Sequence, residues 1–344
     1  MRRIAAVLLF LAIVAGAFAG ILHYSEIRRK EKQKPPPQAE IVRVYTDFQT
    51  EILEQTAPLF YADTGIQMDI FHVTTEELLN ETAESEEPAD VIVTSQNTLL
   101  KLKAAHRLSA YSSAETDMVP DIFKDRDGHW TGLWVDPIVF AVSGDYVKTH
   151  PAAVYNWTEV FLRQDVRLVM TDFIAASMAG DFFMSLAEHF GINETFMLLS
   201  GAQGHTVQYG KYLSTPARIA GMGKCDVGIS GLNEAVRAQK EGLPVKILYP
   251  LDGSPWYLYG MALATGGKAP ERGKKLIDWL MYEPKYAKAM RDANYFYVSA
   301  AGHAPKDEAG VEIAYWPLEK KYFEEGKKAL LNEWAEKIRF GGKK

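Results

Sequence analysis

From residue 41 onward, short runs of β-branched residues alternate with longer stretches whose apolar residues recur at helical spacing. This alternation restricts the chain to parallel-type sheets covered by helices. Ile41–Tyr45 reads as a first strand, ending at Thr46-Asp47-Phe48. Ile52, Leu53, Leu59 and Phe60 mark one face of a helix that Gly65 closes, and Pro58 inside it is expected to kink or restart it. Ile66–Val73 and Ala89–Thr94 give two more strands, and Ser95-Gln96-Asn97 leads into a helix through Leu99, Leu100 and Leu102. Residues 130–142 (WTGLWVDPIVFAV) are extended but too long for one short strand; Pro137 is expected to break them, and the segment is a candidate crossover between two lobes. A short helix at Trp157–Phe161, a strand at Arg167–Met170 and a loop at Thr171–Ser177 precede a helix through Phe182, Phe183, Leu186, Ala187 and Phe190, closed by Gly191. Thr215-Pro216 opens a helix, Asp226–Ile229 is a strand, Ser230–Asn233 a loop, and 234–240 a helix ending at Gly242. Strands at Val245–Tyr249 and Trp256–Ala264, helices at 271–282 and 285–293, a strand at Tyr295–Val298 and a helix near 318–338 complete the chain.

The N-terminus carries a different kind of signal. Arg2 and Arg3 precede an apolar run from Ile4 to Leu22, and Ala17-Phe18-Ala19 offers the small-x-small pattern of a signal-peptidase site. The run is long enough to span a bilayer, so residues 1–24 are expected to be a cleaved signal peptide or an uncleaved signal anchor. No cysteine lies nearby to carry a lipid. Residues 25–40, charged and then containing Pro35-Pro36-Pro37, read as an extended linker. Both outcomes place the body outside the cytoplasm: periplasmic or extracytoplasmic, and anchored to the cytoplasmic membrane by residues 4–22 where the segment is not cleaved.

Charge and motif content narrow the function. The formal net charge of −6 divides into +4 for residues 1–40 and −10 for the rest, and an acidic body argues against nucleic acid as a partner. The single cysteine, Cys225, excludes an intrachain disulfide and reads as a small core residue. The eight histidines are scattered, with none paired at metal-ligand spacing, so neither a metal nor a cofactor is expected. No G-x-S-x-G, HExxH, G-x-G-x-x-G or P-loop occurs, and no enzyme is expected.

The ordered set VYTDFQTEILEQTAPLFYADTGI, ADVIVTSQNTLLKLKAAHRLSAY, GHWTGLWVDPIVFAVSGDYVKTHP, ARIAGMGKCDVGISGLNEAV and YGMALATGGKAPERGKKLIDWLMYEPKYAKAMRDANYFY resembles the extracytoplasmic solute-binding proteins of ABC importers, in the group with ferric-ion, thiamine, polyamine, phosphonate and sugar-phosphate binders. The resemblance covers about 41–300. It implies an α/β, two-lobed type II periplasmic-binding-protein fold, each lobe a mainly parallel sheet with helices on both faces, joined by crossover strands. Lobe one would be 41–137 with 257–305, lobe two 138–256, and 306–344 a C-terminal helical segment. The implied function is capture of a small ligand in the interlobe cleft and its delivery to an inner-membrane ABC permease, with hinge closure and as a monomer. A membrane-tethered sensor domain of the same fold is the alternative.

Strand ends nominate the ligand-binding residues, because open α/β sheets bind ligands outside the carboxyl ends of their strands. They are Thr46, Asp47, Phe48, Ser95, Gln96, Asn97, Trp134, Asp136, Asp172, Ser177, Gln208, Tyr209, Ser230, Asn233 and Tyr257. Asp47, Ser95 and Ser230 also suit helix N-caps, and Trp134, Phe173 and Trp256 also suit the core. Asp136 and Asp172 follow apolar runs, where an unpaired carboxylate is costly. Ferric-ion members of the resembling group place a tyrosine pair where this chain has Leu232 and Asn233, which argues against direct tyrosinate ligation; ferric ion remains the alternative ligand. Asp47, Asp136 and Asp172 with nearby aromatics would suit a cationic or amine-bearing organic solute. The other choice is an anion held at the helix start Ala175-Ala176-Ser177.

Overall fold

The computed structural model describes residues 40–48, 50–80, 87–150, 156–282, 286, 288–290, 296–297, 313–318 and 326–341. The apolar run 4–22, nearly all of the linker 25–40, and most of the expected helix 285–293 lie outside the described residues.

Three parallel strands open the fold. β1 (Glu40–Thr46) lies between β2 (Ile66–His72) and β3 (Val91–Ser95). Between β1 and β2 runs α1 (Glu51–Thr64), which buries Ile52, Leu53 and Phe60. Pro58 sits inside this single helix and neither ends nor restarts it. Both Pro58 and Glu54, whose carbonyl loses its donor, are exposed, so no buried hydrogen bond is lost. Gly65 ends the helix in the left-handed region (φ 72°), with its N–H on Tyr61 O. α2 (Thr75–Asn80) follows β2, and α3 (Gln96–Ala104) follows β3 directly.

β4 (Leu108–Ser109) is a short edge, and β5 (Thr131–Ser143) is then one continuous strand of 13 residues, buried throughout. The expected break at Pro137 does not occur, because the proline sits where the strand changes partners. Up to Pro137, β5 pairs antiparallel with β10 (Trp256–Ala264); from Ile138 it pairs with β8 (Val227–Gly231) and, further on, β9 (Val245–Leu248). Ile138 N–H donates to Pro255 O at the junction, and no ladder bond is asked of the residue that lacks an N–H. β6 (Leu168–Thr171) runs parallel to β7 (Thr206–Gly210) and to β8. The full order is β2-β1-β3-β10-β5-β8-β6-β7, with β4 on β10, and β9 and β11 (Phe296–Tyr297) on β5. The two lobes thus share one long strand.

The second lobe is built on α4 (Trp157–Leu162), α5 (Ser177–Phe190), α6 (Ile192–Gln203), α7 (Thr215–Gly221) and α8 (Leu232–Lys240). Sequence periodicity passes over α6, which buries Thr195, Leu198, Leu199 and Ala202. The loop expected at Ser230–Asn233 is absent: β8 continues through Gly231 and α8 starts at Leu232. Ser230 is therefore a strand residue, paired with Val139 and 3% exposed. α9 (Pro270–Tyr282) returns to the first lobe. α10 (Lys327–Trp334) packs on the second, where Trp334 meets Phe173 at a ring distance of 4.7 Å. Among the described residues, no helix is long and apolar enough to cross a membrane.

Candidate functional site

The carboxyl end of β1 delivers Asp47 and Phe48. Asp47 is fixed by two hydroxyls, Thr94 Oγ1 donating to Oδ1 and Thr75 Oγ1 to Oδ2, each at 2.6 Å. Phe48 packs on Tyr259 (ring centroids 4.4 Å apart) and on Trp134 (5.1 Å). Ser95 caps α3, its Oγ accepting Thr98 N–H at 3.3 Å.

The crossover supplies the opposite wall. Asp136 lies on β5 beside Pro137, across from Tyr257 of β10, and is 6% exposed. Its Oδ1 accepts the Asn233 N–H from the first turn of α8 at 3.0 Å. The strand can approach the helix start this closely because residue 231 is glycine: a Cβ there would lie 2.5 Å from Asp136 Oδ2. Burial pushes the Asp136 carboxyl up to about 7; the Glu234 carboxylate adds to the rise, and the Asn233 N–H opposes it. Burial also raises Glu234, whose Oε1 is 3.4 Å from Arg237 and whose Oε2 is buried without a partner among the described residues. Tyr257 is 9% exposed, and burial holds its phenol well above the ordinary value. Asp181, one turn into α5, ion-pairs with Lys327 of α10.

These groups enclose a cavity of about 450 Å³, lined from both lobes and the crossover. Of the residues nominated by the sequence, Asp47, Phe48, Ser95, Asp136, Ser177, Asn233 and Tyr257 come together on its wall. Thr46 and Trp134 stand behind it, each 0% exposed: Thr46 Oγ1 accepts Phe48 N–H, and Trp134 stacks on Tyr259. Gln96 and Asn97 border a small adjoining pocket with Ser95, and Ser230 another beneath Tyr257.

The structure takes Asp172, Gln208 and Tyr209 to a different cluster. Asp172 Oδ1 accepts Ile174 N–H at 3.1 Å, and its Oδ2 accepts Arg339 Nε at 3.0 Å. The same guanidinium lies over the Tyr209 ring at 4.5 Å, and the Tyr209 hydroxyl donates to Gln203 Oε1. Gln208 is exposed beside them on β7. The chain itself therefore supplies the cation for this strand-end acid.

Sequence reasoning missed His72, Asp181, Glu234, Arg237 and Tyr259 on the cavity wall. Two of them carried a usable signal. Tyr259 follows Tyr257 by two residues on one strand face, and Asp181 follows Ser177 by four on one helix face. It also missed Asp125, Asp127 and His129, whose ligand atoms lie within 4.8 Å of one another. That cluster already holds the Lys103 ammonium, 2.7 Å from Asp125 and 2.8 Å from Asp127.

The sequence pattern of the bacterial extracellular solute-binding proteins matches residues 41–293. A Haemophilus influenzae protein described as uncharacterized is 20% identical over 246 residues, covering 67% of this chain and 70% of that protein. Among solved structures, the ferric iron-binding protein A of Mannheimia haemolytica in an open conformation superposes with a TM-score of 0.74 at 19% identity, over 88% of this chain and 99% of that one. The periplasmic binding protein AfuA of Actinobacillus pleuropneumoniae, with fructose-6-phosphate bound, gives 0.66 at 18% identity, over 87% and 99%. The iron-bound HitA of Pseudomonas aeruginosa gives 0.72 at 16%, over 86% and 99%. The fold is that of the periplasmic binding proteins, and both the family and these structures are binding proteins rather than enzymes. The match spans most of the two-lobed body, and the chain belongs to the bacterial extracellular solute-binding protein family.

Proposed function

We propose that the chain is exported, captures a small solute between its lobes and hands it to an ABC permease. The observation that carries this reading is the cavity of about 450 Å³ whose walls come from β1, α3, α5, α8 and the shared β5–β10 pair. Small-molecule sites typically fall in the range of about 300–1,000 Å³, and a site built from two lobes closes when they rotate together. The change of strand partners at Pro137–Ile138 supports a division into 41–137 with 257–305 and 138–256, hinged there and near 250–257. Asp47, Phe48, Ser95, Asp136, Ser177, Asn233 and Tyr257 are the proposed contacts. The cavity exceeds what a bare ion needs, and Leu232-Asn233 stands where the resembling ferric binders carry tyrosines, so an organic solute is favoured over ferric ion.

The test is native mass spectrometry of the chain isolated from its exported fraction, with small-angle scattering before and after the solute is dialysed away. A small-molecule adduct is expected, together with a smaller radius of gyration in the loaded state. An unchanged radius on loading counts against closure, and absence of any adduct or of binding to added solutes counts against capture.

A further inference from the structure

The carboxylates on the cavity wall are not answered equally. Asp181 has Lys327, and Glu234 has Arg237 at 3.4 Å. Among the described residues, Asp47 and Asp136 are held only by neutral donors: the Thr75 and Thr94 hydroxyls for one, the Asn233 and Leu232 N–H groups for the other. Glu234 and Arg237 face Asp136 from α8 with opposing effects, and the phenols of Tyr257 on β10 and Tyr315 in the C-terminal segment also lie within its field. His72 shares the same cavity. Asp136 is already only 6% exposed, closing the lobes would strip water from Asp47 as well, and a charge buried without a counter-charge is strongly unfavourable. A solute that brings positive charge removes that penalty.

Two independent features point the same way. Tyr257, 9% exposed, borders the cavity, and its hydroxyl oxygen can accept a hydrogen bond there. Its lone pairs and the partnerless Glu234 Oε2 are acceptors awaiting N–H donors. Phe48 and Tyr259, ring centroids 4.4 Å apart, offer aromatic surface that attracts a cation and covers hydrocarbon. The anion reading is weaker here. Thr98 N–H at the start of α3 is taken by Ser95 and Asn233 N–H at the start of α8 by Asp136, while Asp181 sits one turn inside α5.

Resting on the solute-capture reading, we propose that the solute is a small organic amine, protonated at neutral pH, whose ammonium group docks on Asp136 and Tyr257, with Asp47 facing it and Phe48 and Tyr259 against its hydrocarbon. The carboxylate form of Asp136 is the binding form, so the proton it holds near neutrality leaves as the amine enters.

The experiment is calorimetry and thermal melting of the purified full chain with putrescine, spermidine and ethanolamine, and with fructose 6-phosphate and ferric citrate. An amine should bind, more weakly at about pH 6 than at about pH 8. Asp136→Asn should weaken it roughly thirtyfold or more, the lower end expected when one member of a desolvated charge pair is truncated. Asp47→Asn should weaken it as well. Circular dichroism and unliganded melting of each variant separate lost binding from lost folding. An amine that binds equally well to both folded variants overturns the assigned site. Binding of fructose 6-phosphate or ferric citrate without any amine overturns the cation and leaves solute capture standing. Silence from all five probes overturns both readings.

Discussion

Asp136 should make the empty protein less stable as pH rises, and Asp136→Asn should abolish that dependence. Its carboxyl is 6% exposed and titrates at about 7, against an ordinary value of 3.8. Between these two values the folded chain keeps a proton that the unfolded chain has released. The native state then binds more protons, so stability is greatest below the unfolded pKa and falls as pH rises through the folded one. A gap of about three units at about 1.4 kcal/mol each sets an upper limit of about 4 kcal/mol, and water in the open cavity lowers it. The amide of Asn keeps an acceptor for the Asn233 N–H and carries no charge at any pH. Urea unfolding of both proteins at about pH 5 and about pH 8 isolates the effect, because every other titrating group is common to both and cancels in the comparison. The stability of the variant relative to the native sequence should be about 2–3 kcal/mol more favourable at the higher pH. Parallel pH dependences would refute the argument and show that Asp136 is already ionised and solvated in the open protein.

Three further outcomes follow from the same geometry. Asp172→Asn should cost about 1–3 kcal/mol of stability, since it breaks a pair whose side chains are only 13% and 26% exposed, while leaving solute affinity nearly intact. A double-mutant cycle with Arg339→Gln should show coupling of about 1 kcal/mol, and additive effects would refute the pairing. Cys225 is 0% exposed, with burial pushing its thiol up to about 12, so a thiol reagent should modify it only on unfolding; rapid reaction of the native protein would contradict this. Ferric ion added to the protein should give no visible tyrosinate band, and a strong band lost in Tyr257→Phe or Tyr209→Phe would overturn the preference for an organic solute.

The elements were legible where one periodicity dominated. The strand Trp256–Ala264 is written as an unbroken run without charge, and α5 repeats its aromatic face at helical spacing. Periodicity failed where a residue type suggested an interruption that the tertiary setting removes. Pro137 and Pro58 both sit where no buried N–H is required, one at a change of strand partners and the other on the water face of a helix. Gly231, preceded by a strand serine, suggested a loop but is needed as the bare backbone on which Asp136 approaches α8. α6 was passed over although Thr195, Leu198, Leu199 and Ala202 repeat at helical spacing.

The site was legible to the level of strand ends and no further, and the reason is visible in two aspartates. Asp136 and Asp172 each follow an apolar run, each comes out 6–9% exposed, and each accepts a backbone N–H near a helix start. Nothing local distinguishes them. What does is a guanidinium 167 residues along the chain: Arg339 reaches Asp172 and stacks on Tyr209, so that acid is satisfied before any solute arrives. Lys327, from the same C-terminal segment, answers Asp181 in the same way across 146 residues. Among the described residues, the C-terminal segment thus neutralises two acids of the second lobe and brings no cation to the crossover acid. Under the proposed reading this division separates scaffold from site. Where the chain provides the counter-charge, the carboxylate ties the C-terminal segment to the lobe. Where it does not, closure waits for a solute to bring one.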